Sequence, residues 1–444
     1  MSQTGPNRIP YGFYLVMAAQ FFSSLADNAL LIAAIALVQQ LHGPTWMAPM
    51  AKWSFAVSYV VLAAFVGAFA DSLPKGRVMF ITNLIKVSGC ALMFLYGSFG
   101  FDTMGQVYMV LLAYAVVGIG AAAYSPAKYG IVTEMLAPAD LVKGNGWIEG
   151  LTVISILLGV MLGGALIHPQ VSQWFMTMPG FPAVATSAEA AIIVIGVVYL
   201  IAAAFNLLIP RTGVVYPPQH RHPLRLLREF LYYVKILWSD RLGQISLAVT
   251  TLFWGAGATL QLVVIEWGAQ HLGLGLDEAS ILMGVAALGT IGGAMLASRI
   301  PLKKALLTLP MGVVMGLVVL LMPAVEQMWA VYGLLVLVGG LGGFFVVPMN
   351  ALLQHRGHVL LSAGHSIAVQ NFNEQINILV MVAAYSFLLW LNMPINTIIV
   401  LFGLLVAALM LLIITWNRHN HRRQPDLDDM IGQRGHGAAL RRRA

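Results

Sequence analysis

The sequence predicts an all-α membrane protein of twelve transmembrane helices, arranged as two six-helix pseudo-repeats. Three observations carry that prediction. Hydrophobic residues make up 59% of the 444-residue chain and charged ones 9%, where a soluble domain carries about 25% charged residues. Apolar runs on the order of 20 residues, the length that crosses a hydrocarbon core, recur almost without pause. Lys and Arg fall in every second connection between those runs. No segment shows the alternating pattern of a membrane-spanning strand, so helices must satisfy the backbone inside lipid.

Taken in order, the spans are expected at 11–41, 50–71, 78–98, 106–128, 142–167, 186–209, 244–271, 277–299, 304–323, 328–350, 361–391 and 394–417. The connections 42–49, 99–105, 168–185, 272–276, 324–327 and 392–393 contain no Lys or Arg. The others carry Lys75 and Arg77, Lys143, the run from Arg211 to Arg241, Arg299 with Lys303 and Lys304, and Arg356. Basic residues stay on the cytoplasmic side, which puts both termini in the cytoplasm.

The organisation expected is a six-helix bundle over 1–209, a basic cytoplasmic linker over 210–243, a second bundle over 244–417 and a disordered basic tail over 418–444. Within the linker, PPQHRHPLRLLREFLYYVKILW reads as an amphipathic basic helix on the inner leaflet. The net charge of +7 lies in this linker, the loops and the tail. Orientation and anionic membrane lipids account for it, and no nucleic-acid partner is implied. The apolar stretch from Tyr11 is too long for a cleavable signal and lacks its cleavage site. The single cysteine, Cys90, lies in an apolar run and excludes a disulfide framework. No phosphate-binding loop, zinc-spaced histidine pair or H-x-x-x-x-D acyltransferase pair is present, so the chain does not read as an enzyme, and no cofactor or metal is implied. The histidines at 220, 222, 355 and 358 read as interfacial.

The two halves repeat. Gln39-Gln40-Leu41-His42-Gly43 is answered by Ala269-Gln270-His271-Leu272-Gly273, Gly118…Pro126 by Gly339…Pro348, and Gly144-Asn145 by Gly364-His365. Six plus six with a shared pattern is the parallel repeat of major facilitator transporters, whose site lies between the halves. Gly67-x-x-x-Asp71-x-x-x-Lys75-Gly76-Arg77 resembles the gating-loop signature of that superfamily. Asp71, Lys75 and Arg77 would hold one side shut in one state, although an ordinary orientation loop turning at Pro74 would look similar. The second-half counterpart from Gly293 has Ala297 where the acid would stand.

Ionisable residues inside the bilayer need partners or a function. Asp27 and Asn28 lie among small residues about sixteen positions into the first span, near the midplane. Asp27 suits a substrate cation or a proton, with a structural ion pair to another helix as the alternative. Glu374 is near the middle of the eleventh span in Gln370-Asn371-Phe372-Asn373-Glu374-Gln375-Ile376-Asn377, whose amides suggest a wet or headgroup-lined wall. Lys128 is expected at the inner end of the fourth span, its stem reaching the interface, with Glu149 facing it from the fifth. Lys86 reads as a packing or snorkelling lysine and Glu266 as reaching the outer surface. The methionines and the many Gly and Ala residues read as helix-packing residues.

Longer blocks carry a resemblance to one family. Asp27-Asn28-Ala29-Leu30-Leu31, Ala70-Asp71-Ser72 with Lys75-Gly76-Arg77-Val78, and Ala121-Ala122-Ala123-Tyr124-Ser125-Pro126-Ala127-Lys128-Tyr129-Gly130-Ile131 resemble the bacterial lysophospholipid transporter (LplT) family. So do Phe253-Trp254-Gly255-Ala256-Gly257, the run from Gly342 to Gln354, and Ile367-Ala368-Val369-Gln370-Asn371 with Glu374, over roughly residues 10 to 415. The resemblance implies a major facilitator fold that moves lysophospholipids, chiefly lyso-phosphatidylethanolamine, from the outer to the inner leaflet. An acyltransferase/acyl-carrier-protein synthetase would re-esterify them there. That enzyme is fused to the transporter in some relatives and is expected here as a separate protein, because the chain ends at Ala444. Asp27, Lys86, Lys128, Glu149 and Glu374 fall on positions charged in the family pattern. Where that pattern reads Gly-x-Thr-Leu-Arg, this chain has Gly257-Ala258-Thr259-Leu260-Gln261. Gln261 can bond a phosphate but brings no charge, so either another cation serves the phosphate or headgroup preference differs. Two other readings suit the same features: a drug or small-solute/proton antiporter using Asp27 as proton carrier, and a membrane scaffold that recruits the acyltransferase without transport.

Overall fold

The structure, a computed structural model, describes residues 10–136, 141–182, 184–214, 222–297, 299–361 and 363–431. Every regular element in it is helical. The helices are α1 (Tyr11–Gln40), α2 (Met50–Leu62), α3 (Val66–Ser72), α4 (Lys75–Phe94), α5 (Thr103–Met135), α6 (Leu141–Ile167), α7 (Pro169–Met176), α8 (Ser187–Leu207), α9 (Pro223–Ser239), α10 (Arg241–His271), α11 (Leu276–Ala297), α12 (Leu309–Val319), α13 (Met328–Leu360), α14 (Ala363–Trp390) and α15 (Ile395–Arg423). Among the described residues eleven helices are long and apolar enough to cross a membrane, one of them α12 with the 3₁₀ turns flanking it.

The second expected span, 50–71, is broken: α2 stops at Leu62 and α3 starts at Val66. Ala63, Ala64 and Phe65 are not helix breakers, so the interruption is invisible in composition. Two spans run longer than expected. α5 and α13 each have 33 residues and continue past Pro126 and Pro348. A proline removes one ladder bond, and in a membrane helix neighbouring groups can compensate for it. Lys128 is therefore not at a helix end, since seven residues of α5 follow it, about 10 Å of helix. Arg356 lies inside α13 rather than after it. α15 likewise runs to Arg423 and a 3₁₀ turn covers Pro425–Met430, beyond the expected start of the tail at 418.

The chain divides into two compact units, Met1–Pro44 with Ser54–Pro223, and Thr45–Trp53 with Leu224–Ala444. In each, the first helix is the hub. α1 packs on α5, α6 and α8, and α10 on α11, α13, α14 and α15. Without a hydrophobic force between helices in lipid, close packing of small residues holds them together. A Cβ on Gly159 or Gly163 of α6 would sit 2.4 or 2.7 Å from a carbonyl of α1. In the second unit, a Cβ on Gly293 would lie within contact of the Gly340 carbonyl and one on Gly343 at 2.2 Å from that of Thr290. The glycines at 289, 293, 339 and 343 thus let α11 and α13 touch backbone to backbone.

Starts are fixed locally. Asp102 accepts from the Gly105 amide at 3.0 Å and Asp240 from that of Gly243 at 2.8 Å, capping α5 and α10. Thr186 and Glu189 cap α8 reciprocally, Thr186 accepting from the Glu189 amide and Glu189 from that of Ala185.

Candidate functional site

Each unit carries its own polar knot. In the first, Asp27 on α1 meets Lys86 on α4, whose ammonium donates to Asp27 Oδ2 and to Ser23 Oγ, both at 2.8 Å. Ser23 passes a hydrogen bond to Asn83 Oδ1 at 2.8 Å. The Tyr199 hydroxyl of α8 donates to Asp27 Oδ1 at 2.7 Å, and Tyr114 of α5 donates to its backbone carbonyl at 2.8 Å. Lys86 Nζ also stands 5.1 Å from the Tyr124 ring centre and 5.6 Å from that of Tyr199. Four helices converge on one aspartate. Lys86 is 1% exposed, so it neither snorkels nor fills space: it is the counter-ion of Asp27. Asp27 thus makes an ion pair with another helix, across 59 residues of sequence. No spacing rule links two residues that far apart. The Asp27 side chain keeps 14% exposure. Asn28 beside it donates to the Ser24 carbonyl at 2.9 Å.

Lys128 is 6% exposed, with its ammonium 4.3 Å from the centre of the Tyr129 ring. The expected reach to an interface is replaced by burial, because α5 continues beyond it. The side chains of Glu149 and Asp71 lie outside the described residues. Of the gating loop, Lys75 is buried and donates to the Ala70 carbonyl at 3.0 Å. Its stem lies 3.0 Å from where a Cβ of Gly130 would be, tying the start of α4 to α5. Arg77 is exposed. Lys75 and Arg77 line a cavity of about 260 Å³ with Asn206, Arg211 and Thr212.

In the second unit, Gln370 on α14 donates to Glu374 Oε1 at 2.7 Å and to Asn350 Oδ1 of α13 at 2.9 Å. Glu374 is 7% exposed. Asn371 is half-buried on the same helix. The amide row does not form one wall. Asn373 accepts from Trp238 Nε1 of α9 at 3.0 Å, and Asn377 donates to the Thr251 carbonyl of α10 at 2.8 Å. Those two amides join helices, as interhelical hydrogen bonds do in membranes, while Gln370 and Glu374 form the polar knot.

Gln261 of α10 is 5% exposed and accepts a hydrogen bond from Lys52 at 2.5 Å. Its amide nitrogen has no hydrogen-bond partner among the described residues. Lys52, in the first turn of α2, escaped the sequence reading because it follows a lysine-free loop by a few residues. Arg356 escaped it too, as a loop residue. In the structure it is 4% exposed and forks onto Asp240 through Nε at 3.0 Å and Nη2 at 2.5 Å. The acid absent at Ala297 is thus matched in this unit by an acid at the start of α10.

The linker helix α9 exposes Leu224, Leu231 and Tyr232 and buries Phe230 and Leu237. Phe230 meets Phe372 edge-on at 5.1 Å, and the Tyr233 ring lies tilted against His365 at 4.3 Å. Partial burial and then the neighbouring Glu229 push the Tyr233 phenol above its usual range.

The sequence profile of the Major Facilitator Superfamily matches residues 16–373. The lysophospholipid transporter LplT of Yersinia enterocolitica is 40% identical over 387 residues, covering 86% of this chain and 89% of its own. The protein of that name from Pectobacterium carotovorum is 38% identical over 383 residues, with 86% and 87% covered. Among solved structures, the nucleoside transporter NupG superposes with a TM-score of 0.66 at 13% identity, over 92% of this chain and 99% of that one. A bacterial homologue of the iron transporter ferroportin gives 0.64 at 13% identity, over 93% and 100%. At such identities the likeness is one of fold.

Proposed function

Because the chain belongs to the major facilitator superfamily and, within it, to the lysophospholipid transporter LplT family, we propose that it carries lysophospholipids, chiefly lyso-phosphatidylethanolamine, from the outer to the inner leaflet of the bacterial inner membrane. Transport proceeds by alternating access of the two six-helix halves, with both termini in the cytoplasm and no covalent chemistry on the lipid. An acyltransferase re-esterifies the product.

One observation supports this reading most: each unit buries charged and amide side chains at the depth of its apolar helices. A zwitterionic headgroup needs an acid for its ammonium and donors for its phosphodiester. Asp27 and Glu374, with Glu149, are the acids; Asn28, Lys128, Gln261, Gln370 and Asn371 are the polar groups around them. At Asp27, the incoming ammonium competes with Lys86 for the carboxylate, so the ion pair stands in for substrate when the site is empty. Asp71, Lys75 and Arg77 gate the pathway. Uptake of labelled lyso-phosphatidylethanolamine into spheroplasts tests the assignment. Asp27→Ala and Lys128→Ala are each expected to cut uptake about tenfold or more at equal expression, the worth of one charge-assisted bond. Full uptake by both variants would remove these residues from the site. Uptake that an uncoupler abolishes, with drug sensitivity on deletion, would favour the antiporter reading.

A further inference from the structure

We propose that Lys52 and Gln261 together form an anion-binding pair that receives the phosphate of the transported lipid. This rests on the transport reading above and deepens it: the charge that the family pattern places on α10 as arginine is supplied here by a lysine on α2.

The only hydrogen bond of the Lys52 ammonium to a described residue is to Gln261 Oε1. No carboxylate pairs with it among the described residues. A lysine that merely snorkelled would turn its head to water. This one turns to an amide that is 5% exposed. Lys52 stands in the first turn of α2, where the helix dipole is positive and adds to its charge rather than offsetting it. The amide orientation follows from the contact: the oxygen faces the ammonium, so Nε2 is the other end, and it is buried without a hydrogen-bond partner among the described residues.

The donor count then selects the ligand. One ammonium proton is spent on Gln261, leaving two, and both Nε2 protons are unused. A group of donors with one net positive charge, its amide oxygen already engaged by the lysine, suits phosphate oxygens and repels an ammonium. A single arginine would present the same elements, a charge and a fork of donors, on one side chain. Here the charge and the planar donor sit on two helices and are joined by a hydrogen bond of 2.5 Å.

The test uses the full chain in nanodiscs, with binding of lyso-phosphatidylethanolamine compared with that of monoacylglycerol, which lacks phosphate. Lys52→Gln is expected to weaken lyso-phosphatidylethanolamine binding at least tenfold and to leave monoacylglycerol unchanged. Adding Gln261→Arg to that variant should restore most of the loss. Should Lys52→Gln fold poorly, Gln261→Glu serves instead: its carboxylate pairs with Lys52 and occupies the cation, and the same selective loss is expected. Competition by inorganic phosphate would identify a site open to free anions, and competition by the lysolipid alone one filled only by acyl-borne phosphate; either supports the pair. Unchanged lysolipid binding in Lys52→Gln and Gln261→Glu, or equal loss of both ligands, would overturn it. Wild-type protein that neither binds nor flips lysolipid would instead sink the transport reading.

Discussion

Lys86 is among the largest fully buried side chains of the protein, and its ammonium is held by one carboxylate, one hydroxyl and two aromatic faces. Breaking a buried pair is costlier than never having made it, because the surviving charge is left without a partner. Lys86→Met is therefore expected to destabilise the protein by about 3–5 kcal/mol. Lys86→Met combined with Asp27→Asn should recover most of that stability while leaving lysolipid uptake lost. Thermal melting followed by size exclusion, run beside the uptake assay, separates the two effects. Uptake retained by the double variant would relegate the pair to a purely structural role. The residues themselves were legible as charges in the membrane; their partnership was not. Asp27 and Lys86 lie on different helices, and no periodicity links two spans.

At the scale of elements, α11 and α13 are held by glycine contacts so close that no side chain fits. Gly293→Val would drive a branched side chain into the Gly340 carbonyl. Separation of the helices, and loss of the monodisperse folded fraction in detergent, is the expected outcome. Gly292→Ala is the matched control, since its Cβ meets nothing within 4 Å. It should melt within about 0.5 kcal/mol of wild type. A folded Gly293→Val protein would show that the contact is dispensable. Element number, order and type were readable from hydropathy, and the failures share one physical cause. Polar residues following Pro126 and Pro348 looked like helix ends, yet the helices continue because tertiary contacts satisfy them: Gln370 on Asn350, and Asp240 on Arg356. The break at residues 63–65 is the converse, a packing effect in an apolar stretch with no breaker to announce it.

For the whole molecule, the alternation of basic and lysine-free connections predicts a topology that labelling can test. The one cysteine, Cys90, is buried, so Cys90→Ala supplies a cysteine-free background at small cost. On that background Met178→Cys, in an exposed loop residue, should react with an impermeant maleimide in intact spheroplasts. Val214→Cys, equally exposed, should react only after permeabilisation. The reverse pattern would invert the orientation and with it the proposed direction of transport. Composition and hydropathy were enough for the all-helical, membrane-spanning architecture, because a bilayer leaves a chain few architectures to choose from.

The distance along the chain between Asp27 and Lys86 has a consequence for biosynthesis. At roughly 5–20 residues per second, the 59 residues between them take several seconds to translate. For that interval α1 has left the ribosome without its counter-ion. Tyr199 arrives later still, 172 residues after Asp27. The nascent α1 must wait at the insertion machinery or enter lipid without that partner, and in either case the arrival of α4 lets it settle. The ion pair then acts as a checkpoint of assembly: a chain truncated before Lys86 carries an acid it cannot neutralise, and quality-control proteases have a marked substrate.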